Sequence, residues 1–93
     1  MIELKVDRKL TEYEKKVLKV HIQQMKVFLQ KNRDYGDSFS KAMKKYGREV
    51  GLARIEDKMN RYMRLTEHKA EVDEKIEDTL LDLANYIILF YAE

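Results

Sequence analysis

Near its C-terminal end the chain runs LLDLANYIILFYA over residues 80–92, and eleven of those thirteen residues are apolar. At helical spacing, Ile76, Leu80, Leu83, Ala84, Ile87 and Tyr91 make one stripe, while Leu81, Tyr86, Ile88, Leu89 and Phe90 cover the other sides. A helix that is apolar all round has to be enclosed, either at the centre of a bundle or between subunits. The chain has 93 residues, and a chain of that size buries only about 60–65% of its unfolded surface. Too little other helix is left to wrap this segment. The expectation is therefore an all-α bundle of three to four helices with a central, self-associating C-terminal helix, and hence a homo-oligomer.

Composition points the same way. Ala, Glu, Lys, Leu and Arg supply 44 of the 93 residues, with three Gly and no Pro, the balance of long helices rather than of a sandwich or barrel. The chain contains no Cys, which removes disulfides, thiolate metal clusters and thiol nucleophiles and suits a reducing compartment. No apolar run approaches a membrane span, and the opening MIELKVDRKL has no signal-peptide core. A cytoplasmic protein with no membrane partner is expected.

The formal net charge of +2 conceals an asymmetry: residues 1–47 sum to +6 and residues 48–93 to −4. A general nucleic-acid binder is more often basic throughout, so general nucleic-acid binding is not expected. A basic half attracts phosphate and an acidic half can hold a metal ion; equally, the two halves can pair with each other.

The whole of 1–93 reads as one helical domain. Residues 1–10, with Ile2, Leu4 and Val6 alternating, form an N-terminal arm, and helices are expected over 11–34, 38–46, 49–67 and 74–92. Thr11 and Glu14 are spaced as a capping box. Leu18, Ile22, Met25 and Leu29 then recur every three to four residues as the inner face of the first helix. Gly36 suits a left-handed helix end, and Asp37 or Ser38 suits the cap of a short helix carrying Phe39, Ala42, Met43 and Tyr46. Leu52, Ile55, Met59, Tyr62 and Met63 mark the inner side of the third helix, and Asp73 the cap of the last. Met25, Met43, Met59 and Met63 read as gap-filling core.

Chemistry concentrates in two lines of polar residues. Asp78, Asp82 and Asn85 stand at i, i+4 and i+7 inside the apolar helix, with Glu74 one turn earlier; Arg54, Asp57, Arg61 and Arg64 have similar spacing on the third helix. Carboxylates four apart repel by about 0.2–0.5 kcal/mol even when exposed, so a buried pair asks for a cation. That cation is either an arginine, in an ion network of Arg54 and Arg61 against Asp78 and Asp82, or a Mg²⁺ ion, which takes several oxygen ligands and is completed by phosphate. Both readings stay open, because ion networks also gather charges in this way. His21 and His68 have no second ligand at metal spacing and read as structural. There is neither a Gly-rich phosphate loop nor a Ser-His-Asp order.

Three blocks resemble a known family: KNRDYGD over residues 31–37, RIEDKMNR over 54–61 and DEKIEDTLLDLANY over 73–86. They look like the nucleotide-modification-associated helical family of phages and bacteria, over residues 18–90. More weakly, the chain is similar to the all-α nucleoside-triphosphate pyrophosphohydrolases of the MazG and dimeric dUTPase type, in which paired acidic motifs hold Mg²⁺. Asp57 and Asp78 stand at two of those carboxylate positions; Asn60 and Lys75 depart from the other two, with Glu74 one residue off.

The resemblance implies a small nucleotide-binding protein of nucleotide metabolism. Asp57, Glu74 and Asp78 would hold Mg²⁺; Lys31, Arg54, Lys58 and Arg61 would hold phosphates. Tyr35 would stack on a base or ribose, and Asp82 and Asn85 would orient the ligand. Arg33 reads as solvated surface and Tyr86 as core. Three functions follow: Mg²⁺-dependent hydrolysis of a nucleoside triphosphate's phosphoanhydride by a degenerate carboxylate set, a non-catalytic oligomeric sponge for a nucleotide immune signal such as a cyclic dinucleotide, or a structural helical interaction module.

Overall fold

The computed structural model describes residues 5–68 and 75–93, and of Tyr35 the backbone alone. Four helices follow one another: α1 (Glu12–Tyr35), α2 (Ser38–Tyr46), α3 (Arg48–Glu67) and α4 (Ile76–Ala92). Among the described residues no strand occurs and no helix is long and apolar enough to cross a membrane.

The capping box starts α1. The Glu14 amide donates to Thr11 Oγ1 at 3.1 Å and the Thr11 amide to Glu14 Oε1 at 2.9 Å, so two of the helix's orphan donors are satisfied. Arg8 reaches the same carboxylate with both terminal nitrogens, at 2.7 and 2.5 Å. This bond first, and the Thr11 amide second, hold the Glu14 carboxyl down to about 2, against an ordinary 4.5.

At the other end Gly36 adopts φ 55° and ψ 56° and donates to the Asn32 carbonyl at 2.8 Å. Asp37 caps α2 by position, also left-handed at φ 61°, yet its side chain makes no capping bond. The carboxylate accepts instead from Asn32 Nδ2 at 2.7 Å, and the Asp37 amide donates to Asn32 Oδ1 at 3.2 Å. A left-handed Asp is tolerated when its polar groups are locally bonded, and Asn32 supplies both bonds. The expected cap Asp73 and the expected helix start at Glu74 lie outside the described residues; Lys75 occupies the N-cap position of α4 without a side-chain bond.

The buried centre lies where α2, α3 and α4 meet. Phe39 and Met43 of α2, Gly51 of α3, and Thr79 and Leu83 of α4 are buried, Thr79 completely. Gly51 lets α3 approach closely: a Cβ there would lie 2.6 Å from the ring of Phe90 and 3.0 Å from Met43 Sδ. Arg48, one turn before Gly51, sits over the same ring at 4.1 Å, a cation–π arrangement. α4 packs mainly along α3, α2 rests on α3, and α1 meets α4.

Several expected core positions are not enclosed. Ile22, Met25 and Leu29 of α1, Leu52, Met59 and Met63 of α3, Tyr46 of α2, and Leu80, Ile87 and Tyr91 of α4 are exposed, Tyr91 at 90%. Of the four methionines read as core, only Met43 is buried. The reason is geometric. In α4 the face bearing Thr79 and Leu83 is turned inward, so Leu80, Ile87 and Tyr91 point elsewhere.

Candidate functional site

All four helices contribute to one cleft of about 300 Å³. Phe28, Lys31 and Asn32 come from the last turns of α1, Ser38 and Phe39 from the start of α2, Arg54 and Lys58 from α3, and Asp82, Asn85, Tyr86 and Leu89 from α4. The spacings explain the convergence. Arg54 and Lys58 stand one turn apart, as do Asp82 and Tyr86, so each helix presents one side to the same space.

Asp82 organises the polar wall. Lys31 Nζ donates to its Oδ1 at 2.6 Å, and Lys58 Nζ lies 3.5 Å from its Oδ2. One carboxylate half-buried on α4 thereby gathers cations from α1 and α3. Arg54 lines the same cleft and forms no ion pair among the described residues. The expected network of Arg54 and Arg61 against Asp78 and Asp82 is thus replaced at Asp82 by lysines. Asp78 itself is exposed.

The opposite wall is apolar. The rings of Phe39 and Tyr86 stack at 5.6 Å between centroids with 30° between planes, close to the offset geometry that aromatic pairs favour. Tyr86, read from the sequence as core, therefore packs on the core and also borders the cleft.

Of the residues expected to hold a nucleotide, Lys31, Arg54, Lys58, Asp82 and Asn85 line this cleft, and Arg61, exposed on α3, does not. The Tyr35 side chain lies outside the described residues. Among the expected metal ligands, Asp57 and Asp78 are exposed and do not line the cleft, and Glu74 lies outside the described residues. A hard cation wants several anionic or carbonyl oxygens together. The cleft offers one carboxylate, already engaged by two lysines, beside an arginine. Among the described residues no three acidic or histidine side chains come together. Among the described residues this donor set suits an anion.

Sequence reasoning passed over Asn32, Ser38, Phe28 and Leu89 as site residues and assigned Phe39 to the core alone. Asn32 had a signal available: it opens the N-R-D-Y-G-D run whose last residue it bonds. The others are ordinary helix residues brought to the cleft by packing.

Compared with known families, residues 31–91 match nucleotide modification associated domain 1. The chain belongs to this family. The matched segment begins at Lys31 and contains every cleft-lining residue except Phe28; the first 30 residues, most of α1 among them, fall before it. Neither a search of curated proteins nor one of solved structures found a match.

Proposed function

We propose that the cleft binds a single nucleotide through its phosphate, and that binding rather than hydrolysis is what its residues are arranged for. The observation that carries this reading is the convergence of Lys31, Arg54 and Lys58 on one cleft with an aromatic wall, in a family associated with nucleotide modification. A phosphate would take the lysines from Asp82 and add the Arg54 guanidinium, whose planar fork matches phosphate oxygens. The base would lie against Tyr86 and Phe28, with the Asn85 amide, a donor and an acceptor, at its edge.

Two considerations favour this over the other readings. As structural ties the ion pairs at Asp82 are weak, because Lys31 is half exposed and exposed pairs contribute only about 0–1 kcal/mol; a purely structural role explains the three cations poorly. A volume of about 300 Å³ is at the lower end of small-molecule sites, which favours one nucleotide over a cyclic dinucleotide.

Incubation with mono-, di- and triphosphates of the common nucleosides and with cyclic dinucleotides, with and without Mg²⁺, followed by measurement of retained ligand and of products, tests the reading. Intact mononucleotide retained without Mg²⁺ is the expected result. Phosphoanhydride cleavage would replace binding with catalysis, retention of cyclic dinucleotides alone would select the sponge, and no retention at all would leave the interaction module.

A further inference from the structure

α1 carries more apolar surface than its neighbours cover. Around its axis Gln24, Phe28 and Lys31 share one side, where Gln24 is buried and Phe28 half-buried, next to α4. Leu18, Ile22, Met25 and Leu29 lie more than a quarter-turn away, at the regular i, i+4, i+7, i+11 spacing of a packing seam. Ile22, Met25 and Leu29 are about half exposed. α4 has a counterpart: Leu80, Ile87 and Tyr91 repeat at i, i+7, i+11 and are exposed as well.

The surface area gives the scale of what is missing. The chain exposes 8247 Å², whereas a compact monomer of 11.2 kDa exposes about 5,700 Å². The Cα radius of gyration is 15.6 Å, against about 12 Å for a compact chain of this length. The excess of about 2,500 Å² is a whole-chain figure, of which the two seams are one part; a standard interface takes about 800 Å² per partner and an obligate homodimer about 1,000–2,500 Å².

Charge selects the occupant. Lys15, Lys19 and Lys26 flank the α1 seam and Glu77 flanks the α4 seam, whereas Lys31 and Asp82 already pair within one chain. A basic helix with an apolar seam and an acidic helix with an apolar seam are both present in every copy. From these we infer that the covering partner is a second copy of this chain, with the Leu18–Ile22–Met25–Leu29 seam of each α1 lying against the Leu80–Ile87–Tyr91 seam of its partner's α4. The pairing is isologous: each copy offers both seams, and each contact occurs twice. Its α1 seam precedes the matched segment, which begins at residue 31.

The test uses the chain's lack of cysteine and needs no nucleotide, so its outcome is independent of the nucleotide reading. Light scattering at micromolar concentration should return a multiple of the chain mass. Ile22→Glu should shift that mass to the monomer. Because that variant can fail to fold, a second measurement stands beside it. Chains with Ile22→Cys and chains with Ile87→Cys, mixed and mildly oxidised, should form a cross-linked pair well above the yield of either alone. A Lys44→Cys chain mixed with either serves as the exposed-thiol control. A wild-type monomer, or an oligomer whose mixed trap yields no more than the control, overturns the proposal.

Discussion

The region built from α2, α3 and α4 and the region built from α1 use their apolar residues in opposite ways. In the first, few residues are enclosed, but they are enclosed tightly: Phe39, Met43 and Leu83 meet around Thr79, and Gly51 leaves no room for a methyl group beside Phe90. In the second, a longer and more regular stripe stays about half exposed from Ile22 to Leu29. A periodic apolar face identifies a helix. It does not by itself identify a core, because enclosure depends on how many neighbours the chain can bring to that face. The cleft lies at the junction, where the last turns of α1 meet the packed region.

The largest expected effects come from truncating the enclosed side. Leu83→Ala should lose about 2–5 kcal/mol and Phe39→Ala about 3–5 kcal/mol of folding stability, measured by chemical denaturation at fixed protein concentration. The same experiment with Ile22→Ala sharpens the comparison. Its effect should be small at low protein concentration and, with α1 packing against a second copy as proposed, should grow with concentration. Equal losses for Leu83→Ala and Ile22→Ala in dilute solution would erase the distinction between the two regions.

The junction comes next. Hydrogen bonds to charged groups contribute about 1.5–3 kcal/mol, so Arg54→Ala should weaken nucleotide binding ten- to a hundredfold. Lys31→Ala should fall at the lower end of that range, because Lys31 first has to give up its bond to Asp82. Both should flatten the salt dependence in a titration, while Arg33→Ala, exposed and outside the cleft, should change little. Similar small losses from all three would move the ligand out of the cleft.

Gly51→Ala probes how tight the packed side is. Overpacking costs about 1–3 kcal/mol, offset by about 1 kcal/mol of helix propensity, so a lower melting temperature and a shifted Phe90 ring resonance are expected. A stabilised variant would mean that the contact with Phe90 yields easily.

The smallest effect concerns the start of α1. A carboxyl held below its ordinary value contributes stability above that value and loses it as pH falls through the lowered one. With Glu14 at about 2 against 4.5, the first turn of α1 should loosen progressively between those two pH values, while the α2–α4 region is not affected through this group. The carboxyl resonance of Glu14 followed by NMR reports this directly, and a midpoint near 4.5 would show that Arg8 does not hold it.

Much of this was legible in the sequence. Thr11 with Glu14, and Gly36 as a left-handed terminus, mark the ends of α1 because caps are local chemistry. Phe39 and Met43 were legible as core because a short amphipathic helix has one apolar side. The inward face of α4 was not. With apolar residues on every side, periodicity gives no direction: of the stripe Ile76, Leu80, Leu83, Ala84, Ile87 and Tyr91, Leu83 is buried, as is Thr79 outside it, while Leu80, Ile87 and Tyr91 are exposed. The family resemblance grouped Lys31, Tyr35, Arg54, Lys58, Arg61, Asp82 and Asn85; Lys31, Arg54, Lys58, Asp82 and Asn85 line the cleft and Arg61 does not, and in the ion-network reading the partners of Asp82 were arginines on α3. Lys31 is 51 residues away in the chain, a distance across which spacing rules carry no information.

The grip of two lysines on Asp82 has a consequence for selectivity. The cleft carries an anion of its own in Asp82, so on the proposed reading a ligand's affinity is a difference: what its charge offers the lysines, less what the carboxylate offers them. A nucleoside brings no charge and leaves that exchange unfavourable. A phosphate group, with more charge and more oxygens than one carboxylate, can outcompete it and also reach Arg54. On the proposed reading the resident carboxylate would act as a threshold, and phosphorylation of the ligand would be what crosses it.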